Sequence, residues 1–164
     1  MPLTARPLHD GWTVRATAGP VPAAITAAAP IAAEVPGCVH LDLMRAGLIP
    51  DPYLDDNESL LAWIGLVDWE YRGIFDVDAA ALASASVHDL VFDGLDTVAE
   101  VRLNGDVLGR TANQHRTYRF TVTDLLREGE NELVVSFTSP IRYANAQLND
   151  CWPVTSWAAI DGDE

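Results

Sequence analysis

The sequence predicts an all-β domain of jelly-roll type, a sandwich of two sheets that bury their apolar faces against each other, with one or two short helices. Three observations lead there. Apolar and polar residues alternate through most of the chain after residue 68, strand-like segments recur at short intervals, and helical periodicity is scarce. The chain has 164 residues, 49% of them hydrophobic, so it can bury a core as one domain.

The first strong strand signal is WEYRGIFDV, residues 69–77, in which alternate positions are apolar or small. That alternation predicts that one side of the strand faces the core. The residues on that side are Trp69, Tyr71, Gly73, Phe75 and Val77. Further strands are predicted in HDLVFDG, TVAEVRLNG, DVLGRT, RTYRFTV and NELVVSF. Asn104-Gly105 joins two of these segments and predicts a tight type I′ hairpin, because both residues tolerate a positive φ.

Helical signals are short. VHLDLMRAG, residues 39–47, predicts about two turns that end at Gly47, and TDLLREGEN, residues 123–131, predicts a single turn. Neither segment is long enough to cover a sheet. The Ala-rich stretch at 23–33 is interrupted by Pro30 and suits a loop or an edge segment better than a membrane span.

The charge balance restricts the partners. All ten basic residues are Arg, and the formal net charge is −14. Such an acidic surface repels phosphate groups, which argues against nucleic acid and anionic membranes and leaves neutral ligands such as sugars. No apolar signal-peptide core opens the chain, so a cytoplasmic protein with reduced Cys38 and Cys151 is expected. The spacing of these cysteines does not suit zinc or redox chemistry, and no cofactor is predicted.

The final stretch keeps aromatic residues but loses the alternation. We therefore expect a jelly-roll domain over residues 1–140 and a tail over 141–164 that leads toward a downstream part. Trp152 and Trp157 in this tail are expected to be buried or at an interface.

The densest polar stretch is PDPYLDDNE at residues 50–58, which is too broken by proline to predict a helix or a strand. Four interpretations stay open for it. A loose calcium site could use Asp51, Asp55 and Asp56, although an EF-hand is excluded because Leu60 stands where that loop needs glycine. The others are an acid–base carboxylate pair, a solvated turn and a sugar-contact loop.

Seven ordered segments resemble one known family. They include VPGCVHLDLMRAGLIPDPYLDDNE, WIGLVDWEYRGIF, LVFDGLDTVAEVRLNG, GRTANQHRTYRF and LLREGENELVVSF. Together they are similar to the N-terminal domain of the β-mannosidases of glycoside hydrolase family 2. The resemblance implies a galactose-binding-domain-like jelly roll beside a (β/α)8 barrel, which carries both catalytic glutamates of a retaining exo-β-mannosidase. A barrel needs about 250 residues, so this chain is expected to hold no catalytic residue.

The resemblance also implies a role for the polar stretch. In the family, the loop that enters the first long strand supplies an asparagine to the substrate, and Asn57 matches it best, with Asp55, Asp56 and Glu58 beside it. For Trp63 the resemblance leaves two roles, a platform on which a sugar ring stacks or a contact to the barrel. The implied partners are a β-mannoside oligosaccharide and the barrel of the same polypeptide. A free-standing carbohydrate-binding module and a purely structural domain are the alternatives.

A second Asn-Glu pair, Asn131-Glu132, opens the strand NELVVSF and is interpreted as a turn followed by a strand entry. The polar run at 113–116 includes His115, which could reach a ligand or a partner domain. His40 and His88 have no partners at metal-ligand spacing.

Overall fold

The computed structural model describes residues 4–150 of the chain. Its eight strands are β1 (Trp12–Ala18), β2 (Ile31–Ala33), β3 (Asp68–Val77), β4 (Asp89–Phe92), β5 (Val98–Leu103), β6 (Asp106–Ala112), β7 (Tyr118–Thr121) and β8 (Gly129–Thr138). Its helices are α1 (Ala23–Ala28), α2 (Val39–Arg45), α3 (Asn57–Leu61), α4 (Ala79–Ala83) and α5 (Pro140–Asp150), with a 3₁₀ helix at Ala62–Leu66.

Six strands form one sheet in the order β2-β1-β3-β8-β5-β6, and β4 pairs with β7 in a second, smaller sheet. Every pair is antiparallel. The predicted all-β fold is confirmed, and each of the six predicted strand segments forms a strand. The described residues hold five α-helices where the sequence predicts one or two, but all are short.

The core lies on one side of the large sheet, here called the inner face. The alternation in β3 places Trp69, Gly73 and Val77 there, all buried. Gly73 is needed for close packing, because ring atoms of Trp12 lie 2.8–2.9 Å from the place that a Cβ would occupy. A β-carbon at this position would therefore force the indole away from the sheet.

Two different layers cover the inner face. The small sheet packs over the β8-β5 half, where Phe92 of β4 and Phe120 of β7 meet edge to face at 6.0 Å. Short helices cover the β1-β3 half, and they bring Ile25, Leu43 and Ile64 against the sheet. The expectation that helices are too short to cover a sheet is wrong for this half, because several of them share the task.

The predicted turns form as expected. Asn104 (φ 54°) and Gly105 (φ 92°) connect β5 to β6, the conformation of a type I′ hairpin. Gly47 (φ 67°) ends α2, donating its N–H to the carbonyl of Met44 at 2.9 Å, while Leu48 donates to Leu43 at 3.0 Å. These two bonds form a Schellman motif, which satisfies carbonyls at the end of the helix.

The opposite, outer face of the large sheet carries a ladder of ion pairs. Arg15 pairs with Glu70 at 2.6 Å, and Glu100 accepts from both Arg102 and Arg110. Hydrogen bonds from Arg110 and then Arg102 hold the pKa of Glu100 below its ordinary value. Alternation thus divides the strands into an apolar side and a charged side.

The chain leaves the sandwich through α5, which the sequence analysis did not predict. Ser139 is buried and caps this helix: its Oγ accepts the N–H of Arg142 at 3.1 Å and donates to the carbonyl of Gly65 at 2.7 Å. Its backbone N–H donates to Asp68 at 2.6 Å, and Asp68 also pairs with Arg142. Pro140 occupies the first helical position, where no N–H is required.

The boundary at residue 140 between a jelly-roll domain and a tail stays a prediction. Trp152, Trp157 and Cys151 lie outside the described residues. In the segment at 123–131 the chain makes one hydrogen-bonded turn, in which Leu126 donates to the carbonyl of Val122 at 3.0 Å, and Gly129 then begins β8.

Candidate functional site: the acid loop

The acid loop, residues 50–58, folds back on itself through its own backbone. Asn57 donates its side-chain N–H to the carbonyl of Asp51 at 2.9 Å, and the Asp51 carboxylate accepts the N–H of Tyr53 at 2.9 Å. The N–H of Asn57 reaches the carbonyl of Leu54 at 3.2 Å. Asp55 has a φ of 49°, a left-handed conformation that aspartate tolerates better than most residues.

The loop ends in a helix that the sequence interpretation missed. Asn57 is the first residue of α3, and the 3₁₀ helix follows it directly. The proline-broken pattern correctly predicts a loop as far as Asp56, but it is wrong for Asn57 and Glu58. A single helical turn of Asn-Glu-Ser-Leu-Leu is too short to give a periodic signal.

The structure brings four of the predicted site residues into one surface. Asp55, Asp56 and Glu58 are exposed, and Asn57 is half-buried beside them. None of these three carboxylates takes part in an ion pair within residues 4–150. The surface therefore presents unneutralised acceptors to solvent.

Trp63 follows these residues along the chain, in the 3₁₀ helix. It is half-buried, and its ring packs against Trp69 of β3 with centroids 6.3 Å apart and planes tilted by 45°. It also borders the core on the helix-covered half of the inner face. Part of the indole thus supports the core, and the rest faces solvent.

The chemistry of the loop suits a neutral polyhydroxyl ligand better than acid–base catalysis. With one N–H of Asn57 held by Asp51, its Oδ1 and second N–H remain to accept and donate. A carboxylate can accept a second hydroxyl in a charge-assisted bond. Acid–base catalysis needs an environment that separates two pKa values, and these exposed carboxylates lack an enclosing cleft.

The other candidate residues have structural partners. Asn131 is completely buried, with its amide bonded to the backbone of Arg127 and Gly129, while Glu132 pairs with Arg72 on the outer face. The Asn131-Glu132 dipeptide therefore forms a turn followed by the start of a strand, as interpreted from the sequence. His88 bonds through Nε2 to the carbonyl of Ala81 at 3.1 Å.

The remaining histidines differ in setting. Burial lowers the pKa of His40, next to the start of α2. His115 is exposed in the loop between β6 and β7, where its N–H donates to Asn113. Within residues 4–150, no three His, Cys, Asp or Glu residues are grouped closely enough to hold a metal ion. No helix in that range has the length and apolar character needed to cross a membrane.

A buried polar network surrounds Asp42 and was not predicted from the sequence. This residue is 1% exposed, and its carboxylate accepts from the hydroxyl of Tyr71 at 3.0 Å, from the N–H of Glu34 at 3.0 Å and from Arg45 at 3.3 Å. Burial, and then the Asp42 charge, raise the pKa of Tyr71. The network links the residue that follows β2 to α2 and β3.

The sequence contained a signal for the missed helix α5. Ser139-Pro140 is a cap followed by a proline at the first helical position, and it marks the start of α5. An aspartate in VHLDLMR looks like a surface residue of an amphipathic helix, so nothing in the pattern predicts that Asp42 is buried.

Comparisons with known proteins agree with this fold. Residues 12–161 match the protein family described as glycosyl hydrolase 2 galactose-binding domain-like. The chain is similar to β-mannosidase B of Thermothelomyces thermophilus, with 38% identity over 79% of this chain and 15% of the relative. The β-mannosidase B of Emericella nidulans is 32% identical over 98% of this chain and 18% of the relative.

Solved structures give the same result. A β-D-mannosidase from Dictyoglomus thermophilum superposes with a TM-score of 0.79 and 39% identity, over 90% of this chain and 17% of that protein. The exo-chitosanase CsxA of Amycolatopsis orientalis shares the fold, with a TM-score of 0.67 and 19% identity over 82% of this chain and 16% of that protein.

The chain thus spans less than a fifth of the length of these relatives. The resemblance found in its sequence motifs is confirmed, as is the fold that it implied. This chain belongs to the glycosyl hydrolase 2 galactose-binding domain-like family and corresponds to the N-terminal domain of β-mannosidase-like glycoside hydrolases.

Proposed function

We propose that this chain is the non-catalytic N-terminal domain of a retaining exo-β-mannosidase. In the full-length enzyme it supports a catalytic barrel of the same polypeptide, and its acid loop forms part of the substrate-binding rim. The terminal β-mannose is contacted first by Asn57, with Asp55, Asp56 and Glu58 as further acceptors and Trp63 at the edge. The 164-residue chain alone does not hydrolyse the glycosidic bond.

One observation carries most of this proposal: 90% of the chain superposes on a β-D-mannosidase at 39% identity. The acid loop adds local support. Its carboxylates and the free part of the Asn57 amide can hydrogen-bond to sugar hydroxyls, and its negative charge favours a neutral substrate over an anionic one. The bond from Asn57 to the Asp51 carbonyl supports a contact role as well. It fixes the amide before substrate arrives, which lowers the entropy cost of binding.

The test replaces Asn57 by Ala in the full-length enzyme and measures kcat/KM on an aryl β-mannoside. A lost sugar hydrogen bond costs about 1 kcal/mol or more, which is roughly a five-fold fall or greater. Ser59→Ala, an exposed change in the same helix, is the control and leaves kcat/KM unchanged. The melting temperature of each variant is measured in parallel, so that loss of the Asn57–Asp51 bond is not mistaken for loss of substrate contact.

An unchanged kcat/KM for Asn57→Ala would remove Asn57 from the rim. A carbohydrate-binding module is the second candidate, because Tyr53 is 95% exposed and offers a ring for sugar stacking. Calorimetric titration of the 164-residue chain with mannobiose separates the two: binding at micromolar concentration favours the module, and no binding favours dependence on the barrel.

A further inference from the structure

A groove of about 420 Å³ lies on the outer face of the large sheet, beside α5. Outward-facing residues of β8, β5 and β6 form its floor, and Tyr143 of α5 forms one wall. The residues that line it include Val98, Glu100, Arg110, Ser136, Thr138 and Tyr143. Small-molecule sites usually have volumes of about 300–1,000 Å³, so the groove is large enough for a ligand.

The strand register arranges the floor of this groove in two rows. In the first row, Glu100 of β5 lies opposite Ser136 of β8 on one side and Arg110 of β6 on the other. In the next row, Val98 lies opposite Thr138. Neighbouring strands are about 4.8 Å apart, so a row across three strands presents polar groups over about 10 Å. The floor therefore suits an extended ligand.

The polar groups of the groove have hydrogen-bonding capacity to spare. Glu100 accepts from Arg102 at 2.6 Å and from Arg110 at 2.9 Å. A carboxylate offers about four acceptor positions, so some of them stay free. The Arg110 side chain is 81% exposed and gives only part of its N–H donors to Glu100. The hydroxyl of Ser136 can both donate and accept. Donors and acceptors side by side in this way match a row of hydroxyl groups.

Tyr143 adds an aromatic surface whose backbone is held in place. Its N–H donates to the carbonyl of Ser139 at 2.9 Å. Ser139 is buried and bonds in turn to Gly65 and Asp68. The sandwich therefore fixes the base of the tyrosine side chain before a ligand arrives, which lowers the entropy cost of binding. The side chain keeps 39% exposure, so part of it is free to contact a ligand.

The charges of the groove indicate an uncharged ligand. The Glu100 carboxylate on its floor and the net charge of −14 oppose an anion, while the guanidinium groups of Arg102 and Arg110 oppose a cation. A purely apolar ligand would remove water from Glu100 and Arg110 without replacing its hydrogen bonds. A saccharide avoids all three costs, because it has neutral hydroxyl groups and an apolar ring face.

We infer that this groove is a second saccharide-binding site, which binds a neutral oligosaccharide without any residue of the acid loop. Tyr143 contacts the face of one sugar ring, while Glu100 and Arg110 hydrogen-bond to hydroxyls of the units beside it. The choice of a mannoside as the oligosaccharide rests on the proposed function. In a full-length enzyme, such a site would hold a long substrate at a point remote from the bond that is cleaved.

A nuclear magnetic resonance titration of the 164-residue chain with a β-linked mannohexaose tests this inference without measuring activity. The backbone amides of Glu100, Arg110 and Ser136 are expected to shift in a saturable way, with a dissociation constant in the low-millimolar range because the groove is open. No shift at these amides, or shifts confined to the acid loop, would overturn the inference. A galacturonate oligomer of the same length should bind about five-fold more weakly or worse. Equal or tighter binding of this anion would refute the neutral ligand.

Variants of Tyr143 test the role of the ring. Tyr143→Ala is expected to raise the dissociation constant about five-fold or more, because most of the apolar contact is lost. Tyr143→Phe keeps the ring and is expected to keep the affinity, which separates loss of the ring from a disturbed α5. An equal loss in both variants would contradict stacking on Tyr143. If Tyr53→Ala abolishes the shifts and Tyr143→Ala does not, the ligand binds at the acid loop and the inference fails.

A matched pair of arginine variants tests the role of the floor. Arg110→Gln is expected to weaken binding, because hydroxyls lose a charged donor. Arg15→Gln is the control, since it removes another exposed, ion-paired guanidinium of the same sheet, on β1. This control is expected to leave the dissociation constant unchanged. If both variants weaken binding equally, the ligand responds to overall charge and the inference fails.

The groove and the proposed function fail separately. Saturable shifts in the groove with an unchanged kcat/KM for Asn57→Ala keep the groove and remove Asn57 from the rim. No shifts in the groove with a reduced kcat/KM do the reverse. The low-millimolar affinity expected here also differs from the micromolar binding that would identify a free-standing module.

Discussion

Replacing the buried carboxylate of Asp42 is expected to be the most damaging single change in the helix-covered half of the domain. Asp42→Ala leaves the Tyr71 hydroxyl and the Glu34 N–H, both part-buried, without their acceptor. Removing one partner of a buried charged network costs about 3–5 kcal/mol of unfolding free energy. That is a large share of the 5–15 kcal/mol typical of a whole domain.

The magnitude can be divided among the partners of Asp42. The bonds from Tyr71 and Glu34 each involve a charged acceptor and contribute about 1.5–3 kcal/mol. Arg45 contributes less than about 1 kcal/mol, because its side chain is 48% exposed and its bond to Asp42 is 3.3 Å long. The expected order of destabilisation is therefore Asp42→Ala, then Tyr71→Phe, then Arg45→Ala.

Urea unfolding followed by circular dichroism measures these differences at constant m-value. If the alanine variant does not fold, Asp42→Asn replaces it in the measurement. The asparagine side chain has the shape of aspartate and keeps one acceptor oxygen, so this variant should lose about 1–2 kcal/mol of unfolding free energy. A double-mutant cycle between Asp42→Asn and Tyr71→Phe should give a coupling of about 1 kcal/mol. A loss below about 1 kcal/mol for Asp42→Ala, or additive effects in the cycle, would show that the network does not stabilise the fold.

Two further predictions concern titration and turn structure. Because the pKa of Tyr71 is raised above its ordinary value of 10.0 in the folded state, its contribution to stability is complete below pH 10 and falls as the pH rises beyond that. The wild type should therefore lose more stability than Tyr71→Phe between pH 8.5 and about 10.5 in urea titrations; equal losses would contradict the assignment. Asn131→Ala removes four buried hydrogen bonds and should cost about 3–4 kcal/mol by chemical denaturation. The exposed neighbour change Glu132→Ala is the control at less than about 1 kcal/mol, and similar values for both would exclude a structural role for the Asn131 amide.

The strands and turns could be predicted because their signals are local. Alternation of apolar and polar residues at 69–77 predicts which side of β3 is buried. Asn104-Gly105 predicts a hairpin, because both residues tolerate the positive φ that its turn requires. Gly47 ends α2 for the same kind of reason. Each signal lies within a few residues and depends on no distant partner.

The features that could not be predicted depend on distant contacts. Asp42 is buried because Tyr71, 29 residues away, reaches its carboxylate. β2 has three residues and exists only by pairing with β1. For the acid loop, the sequence supplied the residues and their polarity. Exposure of Tyr53, the helical start at Asn57 and the packing of Trp63 on Trp69 follow from the layer of helices that the pattern did not reveal.

The hairpin at Asn104-Gly105 affects how the protein ages chemically. Asparagine followed by glycine is the dipeptide most prone to deamidation, in which the next backbone nitrogen attacks the side-chain amide. Here the Asn104 amide nitrogen is held by the Leu125 carbonyl and by Asn131, and its oxygen accepts the N–H of Glu132. These bonds restrain the amide in the folded chain and are lost on unfolding, so deamidation at this residue during storage records how often this end of the sandwich opens.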